Sequence, residues 1–124
     1  MGTSPLAGIR ILVVDDHEDT CDVLQQALTH MGGSVHAAAS AREALGAVDD
    51  VDIVVTDYSM PGETGAWLLD RVRERPRPVP VITMTGYADS YAEELRRASF
   101  ARVLQKPVDP WRLSDTIVSV LRGA

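Results

Sequence analysis

Short continuous apolar runs alternate along this chain with longer stretches in which the apolar residues are more widely spaced. Runs rich in β-branched residues cover 9–14, 52–56 and 79–84, and shorter ones cover 34–38 and 102–105. The longer runs are apolar at most positions, which is typical of strands buried on both faces of a sheet. The pattern therefore predicts five strands.

The stretches between the runs carry apolar residues at the three- and four-residue spacing of helices. They predict helices over 17–31, from Ser40 to about Val48, around Leu68 to Val72, from Asp89 to Ala98 and from Asp109 to Leu121. The expected inward-facing residues of the first and last helices are Val23, Leu24, Ala27, Leu28, Met31, Leu113, Ile117, Val120 and Leu121. A capping box at 40–43 and a cap followed by proline at 109–110 mark two helix starts.

The order of these elements predicts the fold class. Strands that alternate with helices through short loops favour right-handed crossovers, and so a parallel sheet with helices on both faces. The 124 residues suffice for one such α/β domain and leave no room for a second. We therefore interpret residues 1–124 as a single doubly wound domain.

Composition and charge narrow the possible functions. Eighteen acidic and twelve basic residues give a net charge of −6, which disfavours a surface that neutralises nucleic-acid phosphates. The single cysteine excludes an internal disulfide, and the three histidines are not spaced as in zinc sites. The sequence shows neither an apolar run of roughly 20 residues, as a membrane span needs, nor a signal peptide. We expect a cytoplasmic protein without a membrane span that binds no nucleic acid directly.

The reactive side chains lie at the carboxyl ends of the predicted strands, where ligands bind to open parallel sheets. Asp15 and Asp16 follow the first strand, Asp57 the third, Thr85 the fourth and Lys106 the fifth. If the first and third strands are neighbours, three carboxylates converge. Two such charges about 4 Å apart repel by about 4 kcal/mol at an effective dielectric of 20, so the cluster predicts a neutralising cation.

The available ligands indicate which cation and which chemistry. Carboxylate oxygens and phosphate oxygens are the ligands that Mg²⁺ prefers. Thr85 can donate a hydroxyl hydrogen bond, and Lys106 can offer a positive charge, to the oxygens of the same phosphate. The combination favours transfer of a phosphoryl group to a carboxylate.

Four motifs, in this order, resemble the receiver domain of two-component response regulators. They are Val13-Val14-Asp15-Asp16, Asp57-Tyr58-Ser59-Met60-Pro61 with Gly65, Pro80-Val81-Ile82-Thr83-Met84-Thr85-Gly86, and Gln105-Lys106-Pro107. The resemblance covers nearly the whole chain and extends to stand-alone receivers and to those of hybrid sensor kinases. It implies a flavodoxin-like sheet of strand order 2-1-3-4-5 and a cis peptide between Lys106 and Pro107.

By this resemblance, Asp57 is the phosphoacceptor and takes its phosphoryl group from a phosphohistidine of a histidine kinase or histidine phosphotransfer protein. The resemblance implies that Asp16, Asp57 and the carbonyl of Ser59 ligate Mg²⁺ directly, and that Asp15 acts largely through water. Such a chain is a signalling phosphoacceptor rather than an enzyme, with at most self-phosphorylation and self-dephosphorylation activity.

The resemblance also implies a switch. Thr85 responds to the phosphoryl group, and Lys106 pairs with it. The surface that then binds an output domain or a second copy is formed by the helix from Asp89 to Ala98, the strand Arg102–Gln105 and the helix from Asp109 to Leu121. One position departs from the family pattern, because Val103 stands where receivers usually have the Tyr or Phe that turns inward on activation.

Other classes of protein share this type of sheet, so the fold alone does not decide the function. An aspartyl-phosphate phosphatase or phosphotransferase is one alternative, although the haloacid-dehalogenase type needs an aspartate where this chain has Ser59. A flavin or nucleotide binder is another, although it needs a Gly-rich loop where this chain has the acidic segment Asp15-Asp16-His17-Glu18. We interpret His17 as a residue of the helix cap rather than a metal ligand.

Overall fold

The computed structural model describes residues 4–86 and 98–123, and the strands of this part form one parallel sheet. The strands are Arg10–Val14 (β1), Ser34–Ala38 (β2), Ile53–Asp57 (β3), Val81–Thr85 (β4) and Arg102–Gln105 (β5). All four neighbouring pairs are parallel, and the order is β2-β1-β3-β4-β5. The predicted strand order and fold class are confirmed, as is the cis peptide between Lys106 and Pro107.

The described helices are Glu18–His30 (α1), Ala41–Leu45 (α2), Gly65–Arg73 (α3) and Pro110–Leu121 (α4), with a 3₁₀ turn at Val48–Asp50. The single helix predicted from Ser40 to Val48 is wrong, because α2 ends at Leu45 and the 3₁₀ turn follows separately. Gly46 stands at this break, where a residue of low helix propensity is tolerated. The helix predicted from Asp89 to Ala98 lies outside the described residues except for Ala98 itself.

Side-chain caps fix three of the helix starts, as the sequence predicted at two of them. The Ser40 hydroxyl accepts a hydrogen bond from the Glu43 amide at 3.1 Å, and the Glu43 carboxylate accepts one from the Ala39 amide at 3.0 Å. Asp109 accepts a hydrogen bond from the Trp111 amide at 3.0 Å, with Pro110 at the first position of α4. Thr64 caps α3 in the same way. Each cap satisfies an amide that the helix itself leaves unpaired, which stabilises the helix by about 1 kcal/mol.

The sheet separates two apolar cores because alternate residues of its strands point to opposite faces. On β1, Ile11 and Val13 pack into the core beneath α1 and α4, whereas Leu12 and Val14 pack into the core beneath α2 and α3. All four side chains are at most 1% exposed. Burying an aliphatic side chain of this size contributes about 1.5–3 kcal/mol, so both layers of helices hold the central strands in place.

Two residues expected to face inward do not. Val23 is 59% exposed, because the buried stripe of α1 runs through Cys21, Leu24 and Leu28, and Val23 lies about 100° around the helix from Leu24. Leu121 is 38% exposed, because it is the last residue of α4, where the helix ends. Helical spacing alone therefore predicted a wider buried stripe than the sheet can cover.

Candidate functional site

The strand order brings the acidic residues together at the carboxyl end of the sheet. Strands β1 and β3 are neighbours at its centre, with Asp57 as the last residue of β3 and Asp15 directly after β1. Asp15 and Asp57 are 1% and 5% exposed, whereas Asp16 is exposed. Donor atoms of Asp15, Asp16, His17 and Asp57 lie within 4.8 Å of one another. The predicted convergence of three carboxylates is present in the structure.

Within residues 4–86 and 98–123, Lys106 is a cation that faces this cluster. Its ammonium group donates a hydrogen bond to Asp15 Oδ2 at 3.1 Å and lies 3.3 Å from Asp57 Oδ1. The backbone sets this position, because the Lys106 amide donates to the Thr85 carbonyl at 2.8 Å and so extends the pairing of β4 and β5. One ammonium group thus bridges two buried carboxylates at the ends of different strands.

The charges at this end of the sheet are unbalanced. Burial raises the pKa of Asp57, the Asp15 charge raises it further, and the nearby Lys106 only partly opposes both. Burial lowers the pKa of Lys106, but the hydrogen bonds and charges of Asp15 and Asp57 together outweigh it, so the pKa of Lys106 is raised overall. Folding therefore favours the charged form of Lys106 and disfavours the charged form of Asp57.

His17 lies beside the carboxylates, and the sequence interpretation placed it at the helix cap rather than among the metal ligands. It does occupy the N-cap position of α1, but its side chain makes no cap hydrogen bond. Its backbone amide donates to Asp15 Oδ1 at 2.9 Å, and its ring Nδ1 lies 3.0 Å from the same oxygen and 3.5 Å from Asp16 Oδ1. The hydrogen bond with Asp15, followed by the charge of Asp16, raises the pKa of His17. Its position next to the acidic pair was the signal available in the sequence.

The remaining predicted residues line the same opening. Thr85 is the last residue of β4 and is 2% exposed, and Ser59 is an exposed residue two positions after Asp57. A cleft of about 350 Å³ is lined by His17, Asp57, Ser59, Thr85, Gly86 and Lys106. Asp57 and Thr85 were expected to follow their strands. They are instead strand residues, because the Tyr58 amide donates to the Met84 carbonyl and Lys106 to Thr85.

Gly65 shows why α3 can start so close to this site. A Cβ atom at Gly65 would lie 2.7 Å from the Asp57 carbonyl oxygen and 3.1 Å from Tyr58 Cα, both of which are backbone atoms. The Gly65 amide donates to the Tyr58 carbonyl at 2.8 Å. A glycine is therefore required for the loop after β3 to return tightly against the strand end.

A second and larger cleft lies beside Lys106 on the face of α1. Its volume is about 490 Å³, and its lining combines α1 residues, Val23 and Leu24 among them, with the Lys106-Pro107 segment. The exposed Val23 side chain therefore lines a cleft that Lys106, next to the carboxylates, also lines.

The donor set fits the magnesium ion that the sequence analysis predicted. Mg²⁺ is a hard cation that takes oxygen ligands, usually one or two carboxylates together with waters and phosphate oxygens. Asp15, Asp16 and Asp57 supply carboxylate oxygens close to one another, and the adjacent cleft has room for water or a phosphoryl group.

No helix in the described ranges is both long and apolar enough to cross a membrane.

Comparisons with known proteins agree on one family. The sequence model of the response regulator receiver domain matches residues 11–118. The "Uncharacterized 14.6 kDa protein in sodA1 3'region" of Leptolyngbya boryana is 40% identical over 87% of this chain and 86% of its own length. The response regulator protein PilR of Pseudomonas aeruginosa is 32% identical over 91% of this chain, which spans only 26% of PilR.

The fold has a close counterpart among solved structures. The response regulator receiver domain protein from Clostridium thermocellum superposes with a TM-score of 0.82 at 26% identity, covering 93% of this chain and 95% of that one.

Proposed function

This chain belongs to the response regulator receiver domain family, and on that premise we propose that it accepts a phosphoryl group on Asp57 and thereby switches a partner-binding surface. One observation carries the proposal. Asp57 is a buried carboxylate at the end of a central strand, 3.3 Å from the Lys106 ammonium group and within reach of two further aspartates. A purely structural aspartate gains nothing from two neighbouring carboxylates, whereas a phosphoacceptor needs a neighbouring cation site.

In the proposed reaction, the donor is a phosphohistidine of a histidine kinase or histidine phosphotransfer protein. A carboxylate oxygen of Asp57 attacks phosphorus, a P–O bond forms, and the P–N bond breaks with its electron pair leaving on the donor imidazole. Lys106 already contacts Asp57 and pairs with the phosphoryl oxygens. Thr85, buried at the next strand end, donates its hydroxyl hydrogen to the same group.

Four residues would hold the magnesium ion in this proposal. Asp16, Asp57 and the carbonyl of Ser59 would ligate it directly, and Asp15 would act largely through water. When bound, Mg²⁺ supplies positive charge that offsets the charge of the carboxylates and of the transferring phosphoryl group. The chain's own contribution is to position the carboxylates, because the ends of β1 and β3 place Asp15 and Asp57 close together and Lys106 bridges them.

The donor and the output partner would use different surfaces. The cleft between α1 and the Lys106-Pro107 segment, with Val23 exposed beside it, fits a donor protein that must bring its histidine to Asp57. The output surface would consist of the segment from Asp89 to Ala98, β5 and α4, and would bind an output domain or a second copy. Exposed Val103 and Trp111 lie on β5 and α4, at 41% and 63% exposure.

In this proposal, residues 1–124 form one receiver domain, which has at most self-phosphorylation and self-dephosphorylation activity. A phosphatase or phosphotransferase of the aspartyl-phosphate type is not favoured, because Ser59 offers a hydroxyl where such a phosphatase needs a second carboxylate as acid and base. The switch would also differ in detail from most receivers, because Val103 is small and partly exposed.

The test is the intact mass of the protein after incubation with acetyl phosphate and Mg²⁺. Wild type should gain one phosphoryl group, and Asp57→Asn should gain none. Asp52→Asn is the matched control, since Asp52 lies just before the other end of the same strand, and it should gain the group as wild type does. Labelling of Asp57→Asn at the wild-type level would contradict the proposal.

A further inference from the structure

The loop after β3 carries Ser59 between two buried side chains. Tyr58 and Met60 are 3% and 7% exposed, whereas Ser59 is exposed and lines the cleft at the strand ends. The Tyr58 amide donates to the Met84 carbonyl at 2.9 Å, and the Tyr58 carbonyl accepts a hydrogen bond from the Gly65 amide at 2.8 Å. The neighbours of Ser59 are therefore held both by their backbone and by their side chains.

The Tyr58 side chain contacts a segment of the chain that is distant in sequence. Its ring lies edge to face with the ring of Phe100, with 6.2 Å between the ring centroids and 67° between the ring planes. Aromatic pairs favour this geometry, because the positive edge of one ring meets the negative face of the other. Phe100 also packs against the core beneath α2 and α3, which contains Met60. Phe100 thus supports the loop through Tyr58 and through the core on which the loop rests.

The segment that carries Phe100 is itself anchored on either side of the ring. The Ser99 hydroxyl accepts a hydrogen bond from Arg73 Nη1 of α3 at 2.9 Å. The Ala101 amide donates to the Val81 carbonyl of β4 at 2.8 Å, directly before β5 begins. The Phe100 ring is therefore fixed to the sheet and to α3, and it can hold Tyr58 in turn.

We propose that Phe100 is a positioning residue, which acts through Tyr58 to hold the loop that presents the Ser59 carbonyl to Mg²⁺. The inference rests on the metal site of the proposed function. A loop that is held in its binding conformation before the ion arrives loses less freedom on binding, so the aromatic pair should strengthen Mg²⁺ binding. By reciprocity, Mg²⁺ binding should change the surroundings of the Phe100 ring, where the chain enters β5.

The first test is the Mg²⁺ affinity of the full chain, read from the thermal unfolding midpoint at increasing Mg²⁺ concentration. Phe100→Leu keeps an apolar side chain but removes the ring, and it should weaken Mg²⁺ binding about two- to tenfold, the range that an aromatic pair can supply. Phe100→Tyr keeps the ring and should bind Mg²⁺ as wild type does. Ile117→Val is the matched control, because Ile117 is buried in the core on the other face of the sheet, and its Mg²⁺ affinity should be unchanged.

The second test observes the Phe100 ring itself. Phe100 is the one phenylalanine of the sequence, so a chain labelled with para-fluorophenylalanine gives a single fluorine NMR resonance. Saturating Mg²⁺ should shift this resonance in wild type and in Ile117→Val. Tyr58→Leu, which removes the partner ring, should lose most of the shift.

The outcomes separate this inference from the proposed function. Equal Mg²⁺ affinity of wild type and Phe100→Leu, or a fluorine resonance that saturating Mg²⁺ leaves unmoved, would overturn the role of Phe100 and leave the magnesium site intact. An equal loss of affinity in Phe100→Leu and Ile117→Val would also overturn it, because the loss would then follow the stability of the fold. If Mg²⁺ raised the midpoint of none of the proteins, the metal site of the proposed function would be wrong, and the inference would fall with it.

Discussion

The two ends of the central strands carry charged groups in opposite arrangements. At the amino end, Arg10 and Asp52 form a matched pair, with Nη2 2.9 Å from Oδ1 and the Arg10 amide 2.8 Å from Oδ2. The side chains are 47% and 32% exposed. At the carboxyl end, Asp15, Asp16 and Asp57 face the single ammonium group of Lys106. One end is balanced and open to water, and the other is unbalanced and mostly buried.

The pKa values of the aspartates record this difference. The hydrogen bonds from Arg10 lower the pKa of Asp52, so folding favours its charged form. Burial, and then the charge of Asp15, raise the pKa of Asp57, so folding disfavours its charged form. The amino end thus contributes to stability, whereas the carboxyl end carries repulsion that a bound cation can relieve.

The largest expected effect is the stabilisation of the carboxyl end by Mg²⁺. A ligand that binds only the folded state adds about 2.7 kcal/mol at a hundredfold excess over Kd, which raises the unfolding midpoint of a domain of this size by about 10 °C. Asp16→Ala should remove most of that rise, and Asp52→Ala should leave it unchanged. Thermal unfolding with and without Mg²⁺ measures both. A full Mg²⁺ response in Asp16→Ala would show that Asp16 is not a direct ligand.

An effect of at most comparable size is expected when the cation of each ion pair is removed. Lys106→Met keeps the length of the side chain but leaves the buried Asp15 carboxylate without its ammonium partner, which should cost about 1–3 kcal/mol without Mg²⁺. Arg10→Met breaks an exposed pair and should cost less, because water solvates the freed Asp52. Urea unfolding gives both values. Mg²⁺ should reduce the loss of unfolding free energy in Lys106→Met but not in Arg10→Met. A loss in Lys106→Met that Mg²⁺ does not reduce would contradict the difference between the two strand ends.

The apolar runs predicted five strands and where each one ends, whereas the strand order, and with it which strand ends meet, was predicted from the resemblance to receiver domains. Buried strands leave continuous apolar runs, and the strand ends then follow from where polar residues resume. Spacing of three or four residues was a weaker guide to burial, as Val23 and Leu121 show, because it does not reveal how much of a helix the sheet covers. Gly46 likewise ended α2 inside a pattern that still looked helical.

Two features of the site depend on the turn geometry after a strand, which composition and periodicity do not encode. His17 stands at the start of α1, where its ring Nδ1 lies 3.0 Å from Asp15 Oδ1 and 3.5 Å from Asp16 Oδ1. The need for glycine at position 65 follows from the loop geometry, because a Cβ atom on Gly65 would lie 2.7 Å from the Asp57 carbonyl oxygen. The close approach of His17 to the aspartates and that of Gly65 to Asp57 both depend on the backbone path of the loop that follows each strand.

The smallest expected effect, and the one with the clearest sign, comes from neutralising one aspartate at each end. In Mg²⁺-free buffer at neutral pH, Asp57→Asn should raise the free energy of unfolding, because it removes a charge that folding disfavours. Asp52→Asn should lower it, because it removes a charge that Arg10 stabilises. Urea unfolding of both variants and of wild type across the acidic and neutral range measures the two differences.

The pH dependence of these differences follows from the directions of the pKa shifts. The pKa of Asp52 is lowered, so its contribution is complete above the ordinary value of about 4 and is lost as the pH falls through the folded-state pKa. The pKa of Asp57 is raised, so its penalty is absent below about pH 4 and grows as the pH rises through the folded-state pKa. The pH-dependent parts of the two differences should therefore vanish at low pH and have opposite signs at neutral pH. Equal signs at neutral pH would mean that Lys106 balances Asp57 as fully as Arg10 balances Asp52, and the contrast between the two ends would fail.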